Sequence, residues 1–174
     1  MLIKKITLNN IRSYIQESIH FPEGSTLLSG DIGSGKSSIL LALEFCLFGL
    51  KKGYSSGSIL RHGVKEGRIE VTLEIEGKEL IINRCLKRGS NGIKQDSGFM
   101  ITNGFKTELS PVELKARVFD ALGYPSEMLK KGEDLIYRYT VYTPQEEMKS
   151  ILFEKPDIRL ETIRKIFGID KYRR

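Results

Sequence analysis

The sequence lacks tryptophan, has only two cysteines and two histidines, and contains no apolar run of eighteen residues. Without such a run, no membrane-spanning helix and no membrane partner is expected. Cys46 and Cys85 each lie in an apolar stretch, which favours buried small hydrophobic side chains over metal ligands or a disulfide. His20 and His62 have no spacing typical of a metal site. This cysteine usage favours a reducing, cytosolic compartment.

The length and composition suit one ordinary domain. Of the 174 residues, 40% are hydrophobic, which is enough for a real core. The formal net charge is +6, and basic residues recur in pairs along the chain. A basic surface favours polyanions, either a nucleotide or a nucleic-acid backbone. The alternative is that scattered lysines only keep the protein soluble.

The first half of the chain predicts two strands and a buried helix. Alternating residues predict a strand over Leu2–Leu8, and Ser25–Ser29 is a short run suited to a buried central strand. Ser37–Phe48 is apolar on almost every side and stops at Gly49, so we expect a buried helix. The polar, glycine-rich stretch Lys51–Gly67 predicts a loop.

Strands and hairpins are predicted next. Arg68–Ile75 alternates apolar and charged residues and turns at Glu76-Gly77-Lys78 into a second strand, Glu79–Leu86. Gly89–Gly98 is interpreted as a mobile loop. A further hairpin is expected over Phe99–Leu109, with an Asn-Gly turn.

The last third predicts helices and one strand. Ser110-Pro111-Val112-Glu113 matches a capping box and starts a helix to Leu122, which Gly123 ends. Arg138–Tyr142 is predicted as a strand, Glu146–Phe153 as a helix, and Asp157–Phe167 as a final helix that closes at a glycine.

The motif that carries chemistry runs from Gly30 to Ser37. It fits G-x-x-x-x-G-K-[ST] at every fixed position, after an apolar segment and at the start of a predicted helix. Glycines allow backbone N–H groups to turn towards phosphate oxygens, and the helix dipole adds attraction for negative charge. Lys36 is expected to reach the β- and γ-phosphates, and the Ser37 hydroxyl to bind Mg²⁺.

Other parts of a hydrolytic site are missing from the sequence. Triphosphate hydrolysis by this class needs a second strand that ends in an acidic residue to hold Mg²⁺. The best candidate, residues 166–170 (Ile-Phe-Gly-Ile-Asp), is interrupted by glycine and falls at a predicted helix end. No Asn-Lys-x-Asp base-recognition signature is present. The sequence therefore predicts half of an ATPase site.

The ordered set of motifs resembles the N-terminal lobe of the SMC-like ATPases that work with a nuclease in DNA double-strand-break repair. Asn10-Ile11-Arg12-Ser13 stands where that family has Asn-Phe-Arg-Ser, and the phosphate loop continues to Ser38 as in the family. Val141-Tyr142-Thr143-Pro144-Gln145 matches a glutamine loop. Lys155-Pro156 precedes a helix that leads to Gly168-Ile169-Asp170, where the family's coiled coil begins. The likeness spans essentially the whole chain.

The resemblance implies an ABC-type ATPase head, divided by a coiled coil, whose C-terminal lobe supplies the acidic strand and a signature motif. Lys36 and Gln145 are implied as catalytic residues, and Ser37 and Gln145 as Mg²⁺ ligands. The implied ATP-binding residues are Arg12, Ser13, Gly30, Ile32, Gly33, Ser34, Gly35, Lys36, Ser37, Ser38, Arg61 and His62.

One departure from the family lies inside the phosphate loop. Ile32 replaces the family's asparagine and Asp31 replaces glutamine. Ile32 cannot donate a hydrogen bond to a phosphate, and a carboxylate at position 31 repels one if it points inward. Each effect is expected to be on the order of 1 kcal/mol in a partly solvated loop.

Taken together, the sequence and the resemblance predict an α/β P-loop half-domain with a mostly parallel core sheet and an antiparallel β layer. The lobe is expected over residues 1–168, with a coiled-coil helix starting at 169–174. The predicted partners are its own C-terminal lobe, a second head, a repair nuclease and double-stranded DNA, in the cytoplasm at the nucleoid or in the nucleus.

Three alternatives remain open from the sequence. One is an SMC-like ATPase of chromosome organisation or recombination without a nuclease. A second is a self-contained P-loop kinase or GTPase. A third is a DNA-clamping module whose nucleotide site is vestigial.

Overall fold

The computed structural model describes residues 1–50, 59–90, 92–123 and 153–166. The chain divides into two compact units, Met1–Gly123 and Tyr124–Arg174. The first unit contains the sheet, two helices and the phosphate loop. In the second unit, the described structure includes helix α3, Pro156–Ile166, close to the predicted final helix.

A six-stranded sheet dominates the first unit. Its strands lie in the order β2-β1-β3-β4-β5-β6, and every described pairing is antiparallel. This is the predicted antiparallel layer. The strands are β1 Leu2–Ile11, β2 Tyr14–His20, β3 Glu66–Ile75, β4 Lys78–Gly89, β5 Gly92–Thr102 and β6 Phe105–Leu109.

Alternation and turn chemistry set the register of the sheet. Ile69, Val71 and Leu73 of β3 are fully buried, because successive side chains of a strand point to opposite faces. The β3–β4 turn has positive φ at Glu76 (51°) and Gly77 (74°), as two-residue hairpin turns require. The β5–β6 turn is the predicted Asn-Gly turn, and both of its residues also have positive φ.

Two helices cover the sheet of this unit. Helix α1, Lys36–Phe48, packs on β1, β3 and β4, and its burial confirms the prediction from its all-round apolar surface. Helix α2, Pro111–Ala121, begins with the predicted capping box between Ser110 and Glu113. The rings of Phe48 and Phe119 meet edge to face, 5.6 Å apart, and join the two helices.

The expected mobile loop at Gly89–Gly98 is wrong. Gly89 is the last residue of β4, and Gly92–Gly98 belongs to β5, which pairs with β4. Glycine and polar residues favour a loop locally, but the growing β4–β5 hairpin satisfies their backbone hydrogen bonds in a ladder. Lys87 and Asp96 form an ion pair across this ladder. The hairpin is therefore longer than the sequence indicated.

Two other strand assignments also differ. Ser25–Ser29 has no strand conformation, and the side chain of Leu27 is 88% exposed rather than buried. A strand needs a neighbour for its backbone groups, and no described residue pairs with this segment. The mostly parallel core sheet is likewise not found among the described residues. Conversely, β2 was not predicted, because this edge strand is largely exposed and shows little alternation.

Several predictions fall on residues outside the described ranges. They are the strand at 138–142, most of the helix at 146–153, the glutamine loop, and the coiled-coil start at 169–174. Gln145 is among these residues. The division at residue 168 stays a prediction. None of the helices in the described residues is long and apolar enough to cross a bilayer.

We expect Gly98→Ala to destabilise the first unit by about 1–3 kcal/mol, as overpacking does. A Cβ at position 98 would meet the carbonyl oxygen of Asn83 on β4 and lie 2.9 Å from Cδ2 of Leu114. Gly89→Ala in the same hairpin is the matched control, since its nearest neighbour would be 3.9 Å away. Chemical unfolding of the two variants should separate them. Equal midpoints would show that β4 and β5 are less closely packed than described.

Candidate nucleotide-binding site

The phosphate loop adopts the backbone that its glycines permit. Gly30, Gly33 and Gly35 have positive φ angles of 143°, 86° and 97°. Side-chain-bearing residues rarely adopt these conformations, so the loop requires glycine at these positions. Gly35 is the cap residue of α1, and the helix starts at Lys36. The N-terminus of a buried helix therefore opens at the loop, as an anion site requires.

Lys36 folds back onto the loop. Its ammonium donates to the carbonyl oxygens of Gly30 and Asp31, each at 2.7 Å, and contacts the Ser34 hydroxyl at 3.2 Å. An ammonium has three donor hydrogens. The contacts account for all three, so a phosphate oxygen must replace at least one of them. These three contacts hold Lys36 and the loop against each other.

An open cleft of about 350 Å³ lies beside the loop. It brings together most of the residues that sequence reasoning assigned to the nucleotide. Its lining consists of Arg12, Ser13, Gly33, Gly35, Lys36, Ser37 and Ser38. Residues from the β1–β2 turn and from the phosphate loop therefore share one surface, although at least twenty positions separate them in the chain.

The remaining assigned residues lie elsewhere or play a different part. Gly30 and Ser34 contact Lys36 rather than line the cleft. Ile32 is fully exposed and is not among the residues that line the cleft. Arg61 contacts the β1–β2 turn through backbone carbonyls, and His62 is exposed outside the lining.

The β1–β2 turn lies directly against the phosphate loop. Arg12 Nη1 is 3.4 Å from the hydroxyl of Ser38, on the first turn of α1. A Cβ at Gly35 would lie 2.7 Å from the Tyr14 hydroxyl and 3.1 Å from the Ser13 hydroxyl. Burial, with a smaller contribution from Glu17, raises the pKa of Tyr14. A side chain at Gly35 would therefore displace Tyr14 or Ser13, in addition to straining the φ angle.

A buried arginine stabilises the far end of α1, and sequence reasoning missed it. Arg84 is fully buried, and it donates through Nε to the Cys46 carbonyl at 2.6 Å and through Nη2 to the Leu47 carbonyl at 3.2 Å. These carbonyls belong to the last turn of α1, which contains no basic residue of its own. Burial lowers the pKa of Arg84 to about 10, so the guanidinium stays charged at neutral pH. The only signal was a charged residue in an otherwise apolar part of β4.

The two cysteines are confirmed as buried, free side chains. Burial raises the pKa of Cys46 to about 12, which keeps its thiol neutral. No group of three or more His, Cys, Asp or Glu side chains is positioned to hold a metal ion in the described parts of the chain. Among the described residues that line the cleft, none carries a carboxylate.

Lys87-Arg88 is one of the basic pairs of the sequence, and it lies exposed on a strand rather than in a loop. Both residues are on β4, where Lys87 pairs with Asp96. The Arg88 side chain donates to the Val64 carbonyl at 3.0 Å, and its backbone N–H donates to the Lys65 carbonyl. Asp96 therefore offsets the charge of Lys87 towards an external polyanion, whereas Arg88 is exposed and keeps its charge.

The antiparallel layer, the phosphate loop and the cleft define a P-loop fold of the kind found in SMC ATPases. A solved chain from a study of ATP-driven dimerization and DNA-stimulated activation of SMC ATPases has the same fold, with a TM-score of 0.68. The two chains are 20% identical, and the match covers 95% of this chain and 99% of the other.

Sequence comparison gives the particular family. A family model described as an AAA domain matches residues 5–174. The DNA double-strand break repair Rad50 ATPase of Methanocaldococcus jannaschii is 33% identical over 174 residues, 99% of this chain, and that of Methanococcus maripaludis is 28% identical over 173 residues, again 99%. The chain belongs to this AAA domain family and is homologous to the Rad50 ATPases. It spans only 16% of the length of each of these two relatives.

Proposed function

We propose that this chain is the ATP-binding N-terminal half of an SMC-like ATPase in DNA double-strand-break repair. Its heads would dimerise with ATP, clamp DNA and regulate a nuclease. The observation that carries the proposal is the cleft shared by the phosphate loop and the Arg12-Ser13 turn, in a chain homologous to Rad50 over 99% of its length. Lys36 would bind the terminal phosphates, and the loop N–H groups would cradle the others.

Mg²⁺ fits the cleft as a companion of the nucleotide. The Ser37 hydroxyl lines the cleft and is an oxygen donor of the kind that Mg²⁺ prefers. A bound Mg²⁺ would neutralise charge on the phosphates, and Gln145 is proposed as a second ligand. Because Mg²⁺ commonly retains waters and binds phosphate oxygens, one or two protein ligands suffice for binding.

Hydrolysis requires more groups than the described site provides. The described residues of the cleft include no carboxylate to hold the metal and no general base, so a C-terminal lobe would supply these groups. The apolar side chain of Leu27, before the phosphate loop, is 88% exposed. That of Ile32, within the loop, is fully exposed. A second lobe that pairs with residues 25–29 would bury Leu27 and complete the expected core sheet.

The wider assembly is part of the same proposal. The similar solved chain comes from a study of ATP-driven dimerization and DNA-stimulated activation of SMC ATPases. This supports a second head and DNA as partners here. The net charge of +6 also favours a polyanionic partner. A repair nuclease partner and a location in the cytoplasm at the nucleoid, or in the nucleus, are proposed from the resemblance to the repair ATPases.

ATP should drive assembly of this lobe once it is combined with its C-terminal lobe. The γ-phosphate is the group that ATP adds to ADP, so only contacts to it in the closed state can shift the equilibrium. We expect light scattering to show dimers with Mg-ATP and single heads with Mg-ADP. DNA binding, measured at two salt concentrations, should be tighter with ATP and weaken steeply with salt.

The matched control for this experiment is Lys36→Ala in the same two-lobe assembly. It should remain unassembled with either nucleotide while keeping its fold by circular dichroism. If mass and DNA affinity are the same with ATP and ADP, the proposed ATP-gated clamp is wrong. ATP binding without assembly would leave only a nucleotide-binding lobe.

A further inference from the structure

The β1–β2 turn holds Arg12 in a strained backbone conformation. Asn10 and Arg12 have φ angles of 55° and 48°, in the left-handed region. Asparagine tolerates this region, but for arginine it is uncommon. Such conformations persist where surrounding contacts over-determine them, and they concentrate at functional sites. The contacts that hold this turn therefore determine where the Arg12 side chain lies in the cleft.

The segment that follows residue 58 supplies those contacts. Arg12 N–H donates to the Ile59 carbonyl and Arg61 N–H donates to the Asn10 carbonyl, each at 3.0 Å. These two hydrogen bonds flank an isolated bridge between Ile11 and Leu60. The segment is also close to the start of β3, because a Cβ at Gly67 would lie 2.6 Å from Cδ1 of Leu60.

The side chain of Arg61 also binds the turn. Its Nη1 donates to the carbonyl of Arg12 at 3.0 Å and to that of Ser13 at 2.9 Å. Arg61 does not line the cleft, whereas Arg12 and Ser13 do. One guanidinium nitrogen therefore binds both peptide units that place these two residues against the phosphate loop.

We propose that Arg61 is a positioning residue of the nucleotide site, which acts on ATP through the Arg12-Ser13 turn rather than by contact with the nucleotide. The inference rests on the proposed ATP site and names a residue that controls its geometry. Without Arg61, the strained turn would lose two charge-assisted hydrogen bonds and Arg12 would sample positions away from Ser38. The positive charge of Arg12 would then be less available to phosphate.

The test is a double-mutant cycle on the full chain, with ATP affinity measured by calorimetry. Arg61→Met keeps much of the aliphatic stem and removes the donors, so folding is retained. We expect Arg61→Met and Arg12→Met each to weaken ATP binding by about tenfold, the effect of one lost charge-assisted contact. The ATP affinity of the double variant should equal that of Arg12→Met within about twofold, because both changes remove the same interaction. If the two losses of ATP affinity multiply in the double variant, Arg61 binds the nucleotide independently of Arg12. That result would overturn the inference.

Arg88→Met is the matched control. Arg88 also donates to backbone carbonyls of the 59–65 segment, those of Val64 and Arg61, but it does not contact the turn. It should leave ATP affinity unchanged, even if it lowers thermal stability as much as Arg61→Met. An equal loss of affinity in Arg88→Met would show that Arg61 has only a general structural role.

Deuterium uptake without nucleotide tests separately whether Arg61 holds the β1–β2 turn in place. Peptides that cover residues 9–14 should exchange faster in Arg61→Met than in the unaltered chain or in Arg88→Met. Unchanged uptake in this turn would overturn the inference about Arg61 but not the proposed function. Absence of ATP binding by the unaltered chain would instead overturn the proposed function, together with the role in nucleotide positioning that rests on it.

Discussion

Replacement of Lys36 by alanine should weaken ATP binding by at least about tenfold, because a charge-assisted hydrogen bond contributes roughly 1.5–3 kcal/mol. Lys36 is the lysine that the loop holds at its centre, 2.7 Å from two backbone carbonyls of the loop. Its ammonium is therefore already placed where phosphate oxygens are expected. Calorimetric titration with Mg-ATP and Mg-ADP measures the loss.

Part of this expected loss is offset within the loop itself. The ammonium must give up at least one of its contacts with Gly30, Asp31 or Ser34 when it binds phosphate, so its net contribution is smaller than that of an unengaged cation. Lys78→Ala at the β3–β4 turn removes the same charge outside the cleft lining and should leave affinity unchanged. Unaltered affinity in a folded Lys36→Ala variant would mean that the phosphates bind elsewhere.

Replacement of Arg84 by alanine should lower the free energy of unfolding by about 2–5 kcal/mol, as truncation of a large, buried and hydrogen-bonded side chain does. The change leaves the Cys46 and Leu47 carbonyls at the end of α1 without their donors and opens a cavity where a large side chain was fully buried. Urea unfolding followed by circular dichroism measures the difference.

Two further variants separate the causes of that loss. Arg84→Met fills most of the volume without donors, so it should lie between the alanine variant and the unaltered chain. Arg68→Ala removes an exposed arginine that pairs with Glu66 on β3, and its effect should stay within about 1 kcal/mol. If Arg84→Ala changes stability no more than Arg68→Ala, the guanidinium does not stabilise the end of α1.

The accurate predictions concern features whose causes lie within a few residues. The Ser110–Glu113 capping box, the Asn103-Gly104 turn and the Gly49 stop of α1 each depend on local backbone chemistry, and the structure confirms all three. The phosphate loop belongs with them, since its positive φ angles follow from its glycines. The cleft residues next to the loop were also identified, although Arg12 and Ser13 came from the resemblance and not from their own spacing.

The errors concern pairing partners that are distant along the chain. Gly89–Gly98 has the composition of a loop, yet β4 binds most of it as a strand because backbone groups in a continued hairpin find their partners there. Ser25–Ser29 has the composition of a strand, yet it has no neighbour in the described structure. Nothing in the composition of either segment says which neighbour is available.

Local sequence thus decided where α1 and α2 begin and end, where two of the hairpins turn, and which glycines of the loop from Gly30 to Ser37 take positive φ angles. These features depend on dihedral preferences and on hydrogen bonds between residues close in the chain. The tertiary structure alone decided that Arg84 stabilises α1 from β4, that Arg12 and Ser13 meet the phosphate loop, and that Arg61 binds the carbonyls of both. Each of these contacts joins residues more than twenty positions apart, and only the antiparallel sheet, by setting strand order and register, brings them within hydrogen-bonding distance.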